Sequence, residues 1–229
     1  MKYIAPARTL RQNLYCAMMV CSALIWSQNA MAIEEPAYEV LRSDAPFEIR
    51  RYPALLVAET VVEGDMDQAS NQGFRRIADF IFGNNQLPGT GQASRIAMTA
   101  PVTVEPQSGR IAMTAPVTVE PDSPDANMAQ ATRWRIHFVM PRLYTLDTLP
   151  RPRNADVQVR EIPPRYMVVH RYSWLNTASR VQQKTDETLA WAQRQSLNVI
   201  GVPQLARYDP PIMPPMFRRN EIHLEIEKP

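Results

Sequence analysis

Residues Ile49–Thr60 read IRRYPALLVAET, and residues Val159–His170 read VREIPPRYMVVH. Each stretch runs through an apolar residue, an arginine, a polar residue, then Tyr or Ile, a proline and a strand-like run. Pro53 and Pro163 stand 110 positions apart. Each run is followed by a turn and an amphipathic segment. The first, Met66–Phe82, sits behind an N-cap at Asp65 and carries Met66, Gly73, Phe74, Ile77 and Ile81 at helical spacing. The second runs from Thr177 to about Ser196, with Val181, Leu189 and Ala192 inward, and Trp191 again lies 110 positions beyond Ile81. Strands follow in both cases: RIHF at Arg135–Phe138 and EIHL at Glu221–Leu224. The order strands, helix, strands is thus repeated. It predicts one α+β domain of two similar halves, with a mixed or antiparallel sheet curled into an open barrel and both helices packed on it.

A second, exact repeat lies between these halves. RIAMTAPVTVEP occurs at Arg95–Pro106 and again at Arg110–Pro121, separated by Gln107-Ser108-Gly109. Ile96, Met98, Ala100, Val102 and Val104 point one way in an extended chain, and Ala97, Thr99 and Thr103 the other. That is the pattern of a half-buried strand, and the spacer ending in Gly suits a hairpin turn. Pro101 and Pro116 cannot donate to a ladder, so the pattern predicts an edge or a bulge at those points. The 21 prolines gather in connections, at Pro150–Pro152, Pro163–Pro164 and Pro210–Pro215 among others. They suit short strands joined by stiff turns.

Residues Met1–Ala32 are expected to be a secretory signal. Lys2, Arg8 and Arg11 precede an apolar run, Leu14–Trp26, that is short for a membrane span, and Ala30-Met31-Ala32 is a cleavage site. Cleavage after Ala32 leaves a single domain over residues 33–229. Both cysteines, Cys16 and Cys21, leave with the signal, and with them any Cys-x-x-Cys-His haem attachment. Removing the three basic residues leaves 22 basic against 23 acidic, a net charge of −1 against +2 for the full sequence. Nothing in this balance points to nucleic acid, and no membrane partner is expected once the signal is gone. The predicted location is periplasmic or secreted.

The chemistry-bearing residues are sparse. His137, His170 and His223 are the only histidines, and none has metal-site spacing. His137 and His223 occupy matching strands, opposite in direction to Ile136 and Phe138, and are expected to be exposed. Outside the expected signal no G-x-S-x-G, cysteine or Gly-rich phosphate loop is present, so no enzyme is predicted. Methionine is abundant, with 12 in the chain. Its thioether suits apolar pockets for flat ligands and can serve as a weak axial ligand to haem iron.

Together, RIAMTAPVTVEP, FEIRRYPALLVAETVVEG, NQGFRRIADFIFGNN and YDPPIMPPMFRRNEIHL resemble the SOUL/haem-binding-protein family, from about Tyr38 to Ile226. The resemblance implies a distorted antiparallel β-barrel with two helices and pseudo-twofold symmetry, similar to the effector-binding domains of some bacterial regulators. It also implies non-covalent binding of haem or another tetrapyrrole, for buffering or carriage. The alternative is a module for another flat apolar ligand, because the axial histidine thought to be used by some members is replaced here by Arg51, within Glu48-Ile49-Arg50-Arg51-Tyr52. Other members are believed to hold the macrocycle by an apolar patch along the first helix. On that pattern Met66, Phe74, Ile77 and Ile81 supply apolar contact, and Arg51, Arg75 or Arg76 pairs with a propionate. Tyr52, Met98 and His170 are the positions to test for axial ligation.

Overall fold

The structure is a computed structural model, and it describes residues 34–89, 117–121, 128, 131–209 and 212–229. The expected signal, the first copy of the repeat with Met98 and Pro101, the spacer, Met113 and Pro116 lie outside the described residues. Glu34–Pro229 forms one compact unit.

Eleven strands and two α-helices are described. The first half holds β1 (Glu39–Asp44), β2 (Phe47–Tyr52), β3 (Leu55–Glu63), α1 (Met66–Ile81), β4 (Asn85–Gln86), β5 (Val117–Pro121) and β6 (Arg133–Val139). The second holds β7 (Arg151–Pro152), β8 (Gln158–Ile162), β9 (Arg165–Tyr172), α2 (Ala178–Arg194), β10 (Gln204–Arg207) and β11 (Asn220–Ile226). Nine strands form one antiparallel sheet in the order β1-β2-β9-β11-β10-β5-β6-β3-β8, and β4 pairs separately with β7.

With β1 set aside, that order reads as a palindrome when each strand is exchanged for its counterpart in the other half. The register repeats as well. Leu55 faces Ile162, and Arg165, 110 positions beyond Leu55, faces Tyr52, 110 before Ile162. Along β5–β6 and β10–β11 the offset is 86: Thr118 faces His137, and Gln204 faces His223. Val119 and Leu205 are counterparts at the same offset and face each other. The pseudo-twofold axis therefore passes between β5 and β10 at that pair. The distorted antiparallel barrel with two helices and two halves is present as expected.

The helices straddle this axis. Asp65 caps α1 by accepting from the Asp67 and Gln68 N–H groups at 3.0 and 2.8 Å, which satisfies orphan donors of the first turn. Met66, Ile77, Phe80 and Ile81 pack into the main core with Ala58, Val62, Trp134, Ile136 and Phe138. Gly73 permits close approach, since a Cβ there would lie 2.9 Å from the Ile136 side chain. Thr177 caps α2. Its buried positions are Val181, Thr185, Thr188, Trp191 and Ala192. Leu189, expected inward, is exposed, because the inward stripe is set by Thr185, Thr188 and Trp191.

The opposite face of the sheet carries no helix, yet its residues are buried. A second apolar cluster, containing no helical residue, joins Tyr52, Met167 and Val169 of β2 and β9 to Leu55, Val57, Val139 and Ile162 of β3, β6 and β8. Those strands stand at opposite ends of the order, so the sheet curls into a half-barrel that covers its own inner face. This overturns the expectation of a half-buried strand. The duplicated strand is buried on both faces at Thr118 and Val119. Its described part, β5, is central, between β10 and β6.

Candidate functional site

The sequence-predicted positions separate into three places. Met66, Ile77 and Ile81 are buried between α1 and the sheet. Phe74, on the same helix, is 39% exposed and sets its ring 5.5 Å from Phe138. Arg51 is exposed on β2 and pairs with Glu39 at 3.5 Å. Tyr52 faces the barrel interior, buried, and its hydroxyl accepts from Arg50 Nη1 at 3.2 Å. Met98 lies outside the described residues.

The barrel interior holds a polar network that alternation alone did not reveal. Arg50 donates to Glu221 through Nη1 at 2.9 Å and Nη2 at 3.3 Å, and to Glu48 through Nε at 2.6 Å. Its guanidinium also lies 4.2 Å from the Tyr38 ring centre. Glu221 further accepts from the Tyr208 hydroxyl at 2.8 Å and lies 2.9 Å from His223 Nε2. Burial pushes the Glu221 carboxyl up, but the hydrogen bond with His223 and the Arg50 guanidinium outweigh it and hold it well below the carboxylate range. Burial likewise pushes the Tyr52 hydroxyl up to about 12, against the pull of Arg50. Across the axis, Glu120 is buried opposite Arg135, and burial raises its carboxyl against Arg135, Arg165 and Arg160.

All three histidines are buried, which corrects the expectation that His137 and His223 are exposed. His137 faces the interior with Nδ1 unpartnered. His170 faces α2, with Nδ1 3.1 Å from Thr188 Oγ1. Burial lowers all three below the usual imidazole range: His137 strongly, helped by Arg165 and Arg160; His223 against the opposing pull of Glu221; and His170 with help from Lys184. The folded protein therefore keeps them neutral where an unfolded chain takes up protons near the ordinary value of 6.5. The associated stability is complete above that value and lost as pH falls below it. Each histidine held neutral contributes up to about 1.4 kcal/mol per pH unit. Urea unfolding should show stability dropping between about pH 7 and pH 5; a flat profile would remove this reading.

On the helix-bearing face, one row crosses the axis: Tyr172, Asn220, Arg207, Val117 and Phe138 are successive register partners. α1 and α2 pack on the strands to either side, so the row's centre, Val117 and Arg207, lies between the helices. Arg207 is half-buried. Its Nη2 lies 3.5 Å from Asp67 Oδ1, and its Nε is buried without a partner. Burial lowers its pKa, and the charge of Arg218 lowers it further against Asp67. Asp67 engages this cation only at the long end of hydrogen-bond distance, and Nε is left over for a second acceptor. Beside it, the partly buried Val117 and the exposed Phe74 supply apolar and aromatic surface, with the fully buried Phe138 ring beneath Phe74. This set fits a flat apolar ligand bearing a carboxylate. An axial histidine does not fit: each described histidine is enclosed by strands or by α2. Sequence reasoning missed Arg207 because nothing local distinguishes it; its setting depends on Asp67, 140 positions away.

Comparison with known proteins agrees with this architecture. The family described as SOUL heme-binding protein matches residues 33–110 and 105–225, and the two segments overlap within the duplicated stretch. Human Heme-binding protein 2 is 28% identical over 202 residues, covering 85% of this chain and 87% of the human protein. Among solved structures, the C-terminal domain of EcmrR superposes with a TM-score of 0.53 at 11% identity, over 84% of this chain and 99% of that one. A Listeria innocua protein described as a hydrolase gives 0.51 at 13% identity, over 79% and 91%. At these identities the two structures share the fold alone. Family matches running through almost the whole described chain place it: this protein belongs to the SOUL heme-binding protein family.

Proposed function

We propose that this protein holds a tetrapyrrole non-covalently, for buffering or carriage. Membership of a heme-binding family carries the reading. The half-paired Arg207 beside Val117 and Phe74 supports a specific mode, in which the macrocycle lies on Val117 and Phe74 and a propionate pairs with Arg207. A bound haem would supply redox-active iron; the chain's own part is to bind and orient the ring. The buried histidines favour contact through the ring face and propionates. This is a binding role without catalysis.

Haem titration of the full chain tests it. Binding should shift the Soret band. Arg207→Ala should weaken it by about 10- to 100-fold, the worth of one charge-assisted hydrogen bond, and haem dimethyl ester should bind wild type no better than the variant binds haem. Iron-free protoporphyrin should bind nearly as well as haem. Unchanged haem affinity in Arg207→Ala would remove this site. Binding of uncharged flat aromatics in preference to haem would favour the alternative, a module for another flat apolar ligand.

We also infer that Met1–Ala32 is a cleaved secretory signal and that the mature chain begins at Ile33 in the periplasm or outside the cell. The basic start, the apolar run and Ala30-Met31-Ala32 support this. N-terminal sequencing of the exported protein should read from Ile33.

A further inference from the structure

The two halves make the same turn with different residues. β3 leads into α1 through Gly64, with φ +127°; 110 positions on, β9 leads toward α2 through Trp174, with φ +94°. The hydrogen bonding also corresponds. The Gly64 N–H donates to the Thr132 carbonyl at 2.8 Å, and its own carbonyl accepts from Trp134 Nε1 at 3.0 Å. The Trp174 N–H donates to the Pro215 carbonyl at 2.9 Å, and its carbonyl accepts from Asn220 Nδ2 at 2.9 Å. Asn220 is the counterpart of Trp134 at the offset of 86. The turn thus imposes a left-handed backbone in both halves. Glycine adopts it without steric cost; for a bulky residue it is an outlier, and strain of this kind clusters at functional positions.

Core packing does not account for the tryptophan. Trp174 is 45% exposed, and Leu175, Met216 and Phe217 beside it are more than 40% exposed. The hydrogen bond to Pro215 ties the two loops into one tip. Residues 171–180 and 212–219 contain Arg171, Arg180, Arg218 and Arg219 and no acidic residue. Glu35 pairs with Arg219 at 2.6 Å, so these four arginines outnumber the carboxylate that reaches them there, and the loops that carry the apolar, aromatic tip are net basic.

We propose that this tip docks the protein on an anionic lipid surface. Trp174 and Phe217 enter the headgroup boundary, and the arginines meet the lipid phosphates and carboxylates. Charge selects this occupant, since a twofold contact with a second copy would set two net-basic tips against each other. Among the described residues no helix is long and apolar enough to cross a membrane. The contact is attachment to a surface, and it departs from the sequence expectation of no membrane partner. It is independent of the tetrapyrrole reading.

Co-sedimentation of the full chain with phosphatidylcholine vesicles, with and without phosphatidylserine, tests it. Wild type and variants share the same amino-terminal residues, so their difference reads the tip alone. Trp174→Gly should relieve the backbone and raise Tm by about 2–4 °C, yet lower affinity for phosphatidylserine vesicles at least about tenfold. Phe217→Ser should lose binding similarly without the gain in Tm. The tip-dependent binding should vanish without phosphatidylserine, and also near 1 M salt, where the screening length is about 3 Å. Wild-type affinity in Trp174→Gly would overturn the proposal. So would tip-dependent binding indifferent to phosphatidylserine and salt, or tip-dependent self-association without vesicle binding.

Discussion

Replacing Arg50 with methionine should cost about 3–5 kcal/mol, as expected when one partner of a buried ion pair is removed. Arg50 and Glu221 are nearly inaccessible, and the guanidinium engages both carboxylate oxygens. Without Arg50, Glu221 keeps only Tyr208 and His223 and remains a buried charge. Burial then dominates, and its depressed pKa should rise, moving acid unfolding to higher pH. The sign follows from the depression: the stabilisation by Glu221 is present above the ordinary carboxylate range and lost as pH falls through the folded value. Arg50→Met combined with Glu221→Met should lose less than the sum of the single losses, by about 2 kcal/mol or more. Urea denaturation of the three variants measures this. A loss below about 1 kcal/mol for Arg50→Met, the scale of a surface pair, would show that the network is not holding the barrel.

The network also marks where sequence reading stops. The paired motifs at Ile49 and Val159 revealed the halves, because each begins with local chemistry: a proline between strands, a cap, an apolar helical stripe. The strand register then followed the two offsets closely. Burial of the inner face was not legible. Alternation in β5, β6 and β11 shows that two faces differ, but a face rich in Glu, Arg and His reads as solvent-facing until the sheet is known to curl. The same gap explains the histidines. His137 and His223 do point away from Ile136 and Ile222, as alternation requires, yet that direction leads into the barrel. At the turns, Gly64 is a residue free to adopt a positive φ, whereas nothing in Ser173-Trp174-Leu175 points to one. The helix carrying four of the expected ligand contacts was placed correctly, but its apolar stripe is used mainly for packing on the sheet. Only Phe74 reaches the exposed side, because a helix on a sheet must first cover its own core.

The duplicated stretch carries the second large expected effect. Val119 is fully buried beside the pseudo-twofold axis, facing Leu205. Aspartate there would bury an unpaired charge in the centre of the sheet, a loss of about 4 kcal/mol or more. The loss should nevertheless depend on copy number. Deleting Arg95–Gly109 or deleting Gln107–Pro121 produces the same sequence, with one RIAMTAPVTVEP before Asp122. That single-copy chain should fold, and Val119→Asp should unfold it. In the two-copy chain the first copy can enter the central position, with Val104 in place of Val119. The connection to β6 then lengthens by 15 residues and the one from β4 shortens by 15. Loop-closure entropy changes by only about 0.6 kcal/mol per doubling, so the two changes nearly cancel. Val119→Asp in the full chain should therefore cost about 1 kcal/mol or less, and adding Val104→Asp should restore the full loss. Thermal and urea unfolding of the two single variants and the double variant decide it. Equal losses from Val119→Asp with one copy and with two would mean that the central place between β10 and β6 belongs to the second copy alone.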